Sequence, residues 1–257
     1  MSPAVGSTNP GGSLTASASP SRLSESDVAA INEKLEKATP QAVLEWALSA
    51  FSGRIALAWS GAEDVAVFDM MWKIDKAARV FTLDTGRLNP ETYDLIAEVQ
   101  KKYSASVEVV FPRLEAVESM VREKGMNLFY ESLENRKLCC GVRKVEPLKR
   151  KLSELDGWIT GLRRSQAVTR GLLNKVEIDR AFGGIVKVNP LADWTTQEVF
   201  DYLKANGVPT NRLHGQGYPS IGCAPCTRAI KPGEDERAGR WWWETPETKE
   251  CGLHSKK

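Results

Sequence analysis

Short apolar runs of strand length alternate along this chain with segments whose apolar residues recur at helical spacing. The predicted buried strands cover residues 54–59, 80–83, 107–111, 158–162 and 185–188. Strands separated by helix-length segments favour a mostly parallel, doubly wound α/β sheet. Such sheets bind their ligands beyond the carboxyl ends of the strands, so the loops that follow the strands are the first candidates for a site.

Helix signals precede and separate these strands. A first helix is predicted from Ser26, and a second has Thr39 as its N-cap and Pro40 in its first turn. A third signal, Asn-Pro followed by helical spacing, covers 89–102. After the last strand, residues 195–198 have the sequence of a capping box, which predicts another helix start.

The chain divides into three predicted regions. Residues 1–24 are rich in Ser, Gly, Ala, Thr and Pro. Such a segment cannot bury enough apolar surface to offset the entropy lost on ordering, so it is predicted to be disordered. Residues 25–230 are expected to form the α/β domain, and residues 231–257 a mobile C-terminal segment.

Composition narrows the class of protein. The chain has 257 residues, of which 42% are hydrophobic and 26% charged, as in soluble globular proteins. Its 35 basic and 33 acidic residues nearly balance, so overall charge gives no reason to expect nucleic acid or a membrane as a partner. No apolar run reaches the ~18 residues needed to span a bilayer, and no signal peptide is visible. We therefore expect a cytoplasmic protein, with reduced thiols.

Three of the loops that follow strands carry residues suited to an anion. They are the Ser-Gly turn at 60–61, the Asp-Thr-Gly turn at 84–86, and Gly161 with Arg163 and Arg164. A Ser-Gly turn that opens a helix offers backbone N–H groups and the positive end of the helix dipole, and paired guanidinium groups match phosphate or sulfate oxygens. The Ser-Gly loop is not a Walker A motif, because no Gly-Lys-Ser/Thr follows.

The cysteines form a second pattern. Cys139 and Cys140 are adjacent, and Cys223 and Cys226 form a C-x-x-C pair far downstream. Four thiols that a fold brings together select zinc or an iron–sulfur cluster, and the residues alone leave both open. A redox dithiol at the C-x-x-C is an alternative. Cys251 stands apart near the C-terminus, which suggests a reactive thiol beside a metal site.

Cations accompany both groups of cysteines. Arg143 and Lys144 follow Cys140, and Arg237 and Arg240 precede three consecutive tryptophans. Cations near a four-thiolate cluster stabilise its negative charge. The tryptophans are expected to dock on the core rather than to form a stacking platform.

With these residues assembled, the chain resembles the assimilatory adenylylsulfate and phosphoadenylylsulfate reductases, most closely the bacterial adenylylsulfate reductases that carry a [4Fe-4S] cluster. The resemblance runs from about Pro40 to His254. Its motifs are the segments 60–64, 83–87, 139–140, 159–164, 223–226 and 250–254. The resemblance implies an adenine-nucleotide α-hydrolase-like fold, with the loop at Ser60 as a modified pyrophosphate-binding loop.

The resemblance also implies a function and roles for individual residues. The reaction would be thioredoxin-dependent reduction of adenosine 5′-phosphosulfate to sulfite and AMP, through an S-sulfocysteine on Cys251. Family members form homo-oligomers. The nearby His254 is a candidate to lower the pKa of that thiol or to assist docking, and an exposed histidine without a role is the alternative. The implied substrate-binding residues are Ser60, Leu83, Lys144, Gly161, Arg163, Arg164, Arg237 and Arg240. The implied [4Fe-4S] ligands are Cys139, Cys140, Cys223 and Cys226.

Several alternatives remain at this stage. The two cysteine pairs favour the nucleotide without a 3′-phosphate, but no residue excludes the 3′-phosphorylated substrate or the use of both. A nucleotide α-hydrolase that thiolates RNA would carry an intact Ser-Gly-Gly signature, whereas Ala62-Glu63 stands here. A redox-sensing or zinc-stabilised regulator would turn over no nucleotide.

Overall fold

The central element is a six-stranded sheet in the order β3-β2-β1-β4-β6-β5. The structure is a computed structural model that describes residues 23–166, 172–245 and 248–249. The strands are β1 Ile55–Ala58, β2 Arg79–Leu83, β3 Glu108–Val110, β4 Gly157–Ile159, β5 Val176–Asp179 and β6 Ile185–Val188. All neighbouring pairs are parallel except β5 with β6, which are antiparallel at one edge. The predicted α/β fold with a mostly parallel sheet is therefore confirmed.

Helices cover both faces of this sheet. They are α1 Glu25–Leu35, α2 Pro40–Phe51, α3 Val65–Ile74, α4 Pro90–Tyr103, α5 Leu114–Lys124, α6 Leu133–Cys140, α7 Glu146–Leu152 and α8 Thr196–Ala205. The predicted starts hold for chemical reasons: Thr39 caps α2, and Thr195 forms a capping box with Glu198. None of the helices in the described part of the chain has the length and apolar content needed to cross a bilayer.

The larger core lies between the sheet and helices α1–α4 and α8, around Leu57, Phe68 and Val188. A smaller core on the opposite face packs α7 on the sheet through Leu148 and Trp158. With both faces covered, the strands β1, β2, β4 and β6 are mostly buried, which is why their sequences are largely apolar, whereas β3 and β5 at the two edges are more exposed.

A helical segment with a local irregularity carries the first cysteine pair. Helix α6 ends at Cys140, a π-helical turn covers Gly141–Val145, and α7 continues from Glu146. Pro147 has no N–H to donate to the preceding turn, which explains a break in the regular hydrogen-bond ladder at this point. The wide turn holds Arg143 and Lys144, and such turns often occur at functional sites.

The structure bears on one unpredicted strand and on both ends of the predicted α/β domain. The edge strand β5 was not predicted, because its sequence, Val-Glu-Ile-Asp, is half polar. Most of the segment 1–24 lies outside the described residues. Beyond the predicted boundary at residue 230, Trp241 is only 1% exposed and the backbone of Thr227 bridges that of Arg240. The segment up to residue 245 therefore packs on the α/β domain.

Candidate active site

A cavity opens beyond the carboxyl ends of β1, β2 and β4, where the strand order reverses around β1. This is the position at which sheets of this kind bind ligands. Its volume is about 210 Å³. Six of the eight predicted substrate-binding residues line it: Ser60, Leu83, Lys144, Gly161, Arg237 and Arg240. We call it the nucleotide cavity below.

The loop after β1 differs from expectation in one respect. Two of its N–H groups, expected to be available to an anion, donate to the Asp64 carboxylate: Ser60 N–H at 2.7 Å and Ala62 N–H at 3.2 Å. Burial, and next the charge of Glu63, raise the pKa of Asp64 to about 6. The loop therefore holds a carboxyl group that changes charge near neutral pH at the place where an anion was expected.

Two glycines are required by close approaches around the cavity. A Cβ at position 161 would lie 2.4 Å from the Cβ of Asp64, so Gly161 allows β4 to end against the loop of β1. A Cβ at position 222 would lie 2.4 Å from a terminal nitrogen of Arg240. Gly222 thus makes room for the Arg240 guanidinium, which donates to the hydroxyl of Ser220 and the carbonyl of Ile221, both at 3.2 Å.

Arg163 and Arg164 do not line the nucleotide cavity, in contrast to the predicted anion site. The side chain of Arg163 is 1% exposed and pairs with Glu63 at 3.2 Å. Arg164 pairs with Asp193 and donates to the carbonyl of Leu173. Burial alone would raise the pKa of Glu63, but the charge of Arg163 brings it below its ordinary value. Arg163 and Arg164 therefore link loops next to the cavity through ion pairs and hydrogen bonds.

A second, smaller cavity of about 20 Å³ brings the two cysteine pairs together, and we call it the cysteine cavity. All four thiols line it, and none is in a disulfide: Cys139, Cys140, Cys223 and Cys226. Burial, and next the neighbouring Cys223, raise the pKa of Cys226 to about 12, and burial also raises the pKa of Cys139. Binding of a metal would have to displace these protons.

The donor set of the cysteine cavity is that of a thiolate-bound metal centre. Among residues 23–166, 172–245 and 248–249, no three His, Cys, Asp or Glu side chains are grouped to hold a single metal ion. Four thiolates on one zinc would lie about 4 Å apart, because each Zn–S bond is about 2.3 Å. The donor set, four thiols around a cavity with Arg87, Arg143 and Lys144 in its wall, suits an anionic thiolate-bound cluster.

The loop after β2 connects to the second cysteine pair, a link that the sequence prediction missed. The Thr85 hydroxyl lies 3.3 Å from the sulfur of Cys223, and Arg143 donates to the Thr85 carbonyl at 2.7 Å. The carbonyl of Arg87 accepts from the N–H of Ala224 at 2.8 Å. The Asp-Thr-Gly-Arg sequence directly after a strand was the available signal, but its partner, 138 residues further along the chain, could not be assigned.

The two cavities share part of their walls. Lys144 and Arg240 line both, as each cavity is bounded by the segment that follows Cys140 and by the segment that follows the C-x-x-C pair. Trp241 supports this arrangement from behind, with the Arg240 guanidinium 4.7 Å from its ring centre. A ligand in the nucleotide cavity would therefore meet cations that also face the thiols.

The C-terminal segment approaches the nucleotide cavity at Arg237. This cavity-lining side chain donates to the carbonyl of Lys249 at 3.2 Å. Cys251 lies two residues further on, and it and His254 are outside the described residues. Two residues span at most about 7 Å when extended, so the chain length allows position 251 to meet the cavity mouth.

The chain is similar to known proteins along most of its length. Residues 54–229 match the model of the phosphoadenosine phosphosulfate reductase domain. An adenosine 5′-phosphosulfate reductase of Burkholderia cepacia is 58% identical over 175 residues, which cover 68% of this chain and 70% of that protein. Another, of Pseudomonas aeruginosa, is 44% identical and covers 92% of this chain and 90% of that protein.

A solved structure extends the likeness to three dimensions. The phosphoadenylyl-sulfate reductase of Candida auris, solved as a phosphate complex, superposes with a TM-score of 0.69 at 30% identity, covering 81% of this chain and 98% of that one. Since the family model spans well over half of the chain, and the relatives match along most of their own lengths, this chain belongs to the phosphoadenosine phosphosulfate reductase family.

Proposed function

We propose that this chain reduces adenosine 5′-phosphosulfate to sulfite and AMP in sulfate assimilation. The observation that carries the proposal is the shared wall of the two cavities, where Lys144 and Arg240 face both the nucleotide cavity and the thiols. The names of the bacterial relatives, which are adenosine 5′-phosphosulfate reductases, support this substrate. As an oxidoreductase acting on sulfur, the protein needs a nucleophile and a source of two electrons.

In the first step, the Cys251 thiolate attacks the sulfur of the phosphosulfate. A sulfur–sulfur bond forms, the bond between that sulfur and the bridging oxygen of the phosphate breaks, and AMP leaves with the electron pair. The product on the enzyme is an S-sulfocysteine. Because both reactants are anionic, cations must screen their approach and stabilise the charge on the departing phosphate, and Lys144, Arg237 and Arg240 occupy suitable positions in the cavity wall.

In the second step, a thiolate of thioredoxin attacks the Sγ of Cys251 and releases sulfite. A mixed disulfide between the two proteins forms, and the second thioredoxin thiol resolves it. Thioredoxin is oxidised from dithiol to disulfide, the two electrons reduce the sulfonyl sulfur to sulfite, and Cys251 returns to its thiol form. Cys251 must therefore meet both a ligand of the nucleotide cavity and a protein in each turnover.

The four cysteines of the second cavity are proposed to hold a [4Fe-4S] cluster. When bound, this group would link the segments around Cys139 and Cys223 and add a local negative charge that orients nearby cations. It need not carry electrons in the scheme above. The chain's own residues do the rest: Lys144 projects from the π-helical turn, and Thr85 and Arg143 tie the loop after β2 to the cysteine cavity.

The 3′-phosphorylated nucleotide is the second candidate substrate. The Candida auris structure is that of a phosphoadenylyl-sulfate reductase, and it is similar to this chain. Both nucleotides should therefore be assayed as substrates. The two cysteine pairs favour the nucleotide without the 3′-phosphate. A cytoplasmic location and a homo-oligomeric state remain further parts of the proposal.

A sulfite assay coupled to thioredoxin tests the function directly. We expect sulfite from adenosine 5′-phosphosulfate, and a lower kcat/KM with the 3′-phosphorylated nucleotide. The Cys251→Ser variant should form no sulfite yet still bind AMP. If the wild-type protein, with its iron and sulfide content verified, released no sulfite from either nucleotide, the proposed function would be wrong.

A further inference from the structure

Arg136 is a fully buried cation in the wall of the cysteine cavity. It lies on α6, four residues before Cys140, and its side chain is 1% exposed. Two of its nitrogens donate to the two carboxylate oxygens of Glu244, at 2.8 and 2.9 Å. This fork-to-fork contact is the most directional ion pair that proteins make.

The same guanidinium reaches beyond Glu244. One of its terminal nitrogens also donates to the backbone carbonyl of Thr248 at 2.8 Å. The Thr248 hydroxyl in turn donates to Glu244 at 3.1 Å, so the three residues form a closed network. The network therefore holds the C-terminal segment at two points, seven and three residues before Cys251.

Arg136 contacts the cysteine cavity from its other side. It belongs to the wall of that cavity, and its guanidinium lies 4.7 Å from the ring centre of Trp241. Burial alone would lower the pKa of Arg136, but the hydrogen bonds and charge of Glu244, followed by the Cys140 sulfur, raise it. One side chain thus joins the first cysteine pair to the segment that leads to Cys251.

A role in stability alone does not account for this arrangement. Burying an ion pair costs desolvation that its attraction only partly offsets, and apolar residues of similar size often serve a fold as well. What the pair adds is a fixed geometry. Its carbonyl contact fixes the backbone at Thr248, and Arg237 fixes it again one residue later, at Lys249.

We propose that Arg136 is a positioning residue that ties the C-terminal segment to the helix of Cys139 and Cys140, so that Cys251 begins each turnover within reach of the nucleotide cavity. The inference rests on the proposed role of Cys251 as nucleophile. Arg136 touches neither the substrate nor the reacting atoms in this scheme. It acts through its contacts with Glu244 and Thr248.

The first test compares Arg136→Gln and Arg136→Lys with Arg180→Gln, which removes an exposed ion pair with Glu25 on another part of the molecule. Misplacing a reacting group by about 1 Å costs on the order of 100-fold in rate, so we expect kcat of Arg136→Gln to fall about 10- to 100-fold. Arg136→Lys should recover part of this loss, because lysine restores the positive charge but cannot make the paired hydrogen bonds of the guanidinium to both oxygens of Glu244. The affinity for AMP should stay within about twofold of wild type, because Arg136 does not line the nucleotide cavity.

Hydrogen exchange supplies a readout that does not depend on turnover. Amides of residues 244–257 should exchange faster in Arg136→Gln than in wild type, while those of α3 and α8 should not change. Arg180→Gln should match wild type in every measurement. If the wild type forms no sulfite, the proposed function fails, but exchange still shows whether Arg136 holds the segment.

Glu244→Gln provides a second variant that leaves Arg136 and its neighbour Cys140 in place. It should reproduce the loss of kcat and the faster exchange, with wild-type affinity for AMP and wild-type iron content. Wild-type exchange in both variants, or a change in exchange without a change in kcat, would overturn the proposal. So would a loss of AMP binding and iron that parallels the loss of kcat in both, because the pair would then serve folding rather than positioning.

Discussion

The nucleotide cavity and the cysteine cavity adjoin each other but are built in different ways. The first is formed by loops at the ends of β1, β2 and β4 together with the segments around Lys144 and Arg240. The second is formed mainly by the segments 136–144 and 223–241, which lie outside the sheet and whose nearest residues are 79 positions apart. The sheet therefore supplies much of the first cavity, whereas the second depends mainly on contacts between segments outside the sheet.

Their charges also differ, and this difference orients a ligand. The nucleotide cavity has two buried carboxyl groups, Glu63 and Asp64, beside the loop after β1, and apolar side chains such as Phe81 and Trp158 along the sheet. Its cations lie on the side shared with the cysteine cavity. An adenosine phosphosulfate is therefore expected to place its sulfate end towards Lys144 and Arg240, and its base and sugar deeper along the sheet.

The largest effect, on the free energy of unfolding, is expected from the buried ion pair between Arg163 and Glu63 next to the nucleotide cavity. Arg163→Met leaves the Glu63 carboxylate buried without its main partner, so we expect the free energy of unfolding to fall by about 3–5 kcal/mol. Urea denaturation of the two proteins measures this. The double variant Arg163→Met with Glu63→Gln should recover part of the loss, because no uncompensated charge remains. Equal losses in the single and double variants would show that packing, not charge, is responsible.

Removing Lys144, one of the two cations of the shared wall, should strongly lower catalytic efficiency. We expect Lys144→Ala to lower kcat/KM about 10²- to 10³-fold, the usual cost of losing one preorganised group that stabilises developing charge. Steady-state sulfite formation measures it. Lys149→Ala is the matched control, as this exposed lysine lies one to two turns further along the same helical segment. If Lys144→Ala lowered kcat/KM no more than Lys149→Ala does, Lys144 would have no role in catalysis and the shared wall would not be part of the reaction site.

The carboxyl group in the loop after β1 should make nucleotide affinity depend on pH. Asp64 has a pKa of about 6, so it is mostly neutral below that pH and anionic above it, where it repels an anionic ligand. If a bound phosphosulfate raises this pKa by about one pH unit, affinity falls about tenfold as the pH rises through about 6 to 7. Calorimetry with the Cys251→Ser protein avoids turnover. Adding Asp64→Asn should flatten the profile; an unchanged slope would place the anion away from this loop.

The smallest effect is expected from Arg164, which was first assigned to the anion site. Its partner Asp193 is 40% exposed, so the pair contributes roughly 0–1 kcal/mol to stability. Arg164→Gln should leave KM for the nucleotide within about twofold of wild type, because the side chain does not line the cavity. A tenfold rise in KM would return Arg164 to the binding site.

These differences explain what could be predicted from the sequence. The inner strands were predictable because they are buried on both faces and are therefore largely apolar, and the strand rule then located the loops after β1, β2 and β4. The rule does not tell which way a side chain points. For this reason Gly161 was placed beside the cavity correctly, while Arg163, two residues later, turns to Glu63.

The remaining contacts depend on tertiary structure that carries no local signal. Four cysteines in pairs pointed to one centre, but Thr85 and Arg136 are ordinary residues in sequence, and their contacts with Cys223 and Glu244 span more than 100 residues. Likewise, Asp64 was read as part of an anion-binding loop. That its carboxylate accepts from the loop's own N–H groups could be seen only in three dimensions.

Cys251 is proposed to attack an adenosine phosphosulfate held at the shared wall of the two cavities. Mass spectrometry of the peptide that contains Cys251, after the protein is mixed with adenosine 5′-phosphosulfate without any reductant, detects this step. We expect one added sulfo group on Cys251 per chain, with AMP released in equal amount, and much slower addition in Lys144→Ala. AMP release with no sulfo group on Cys251, or a sulfo group on any of the other four cysteines, would contradict it.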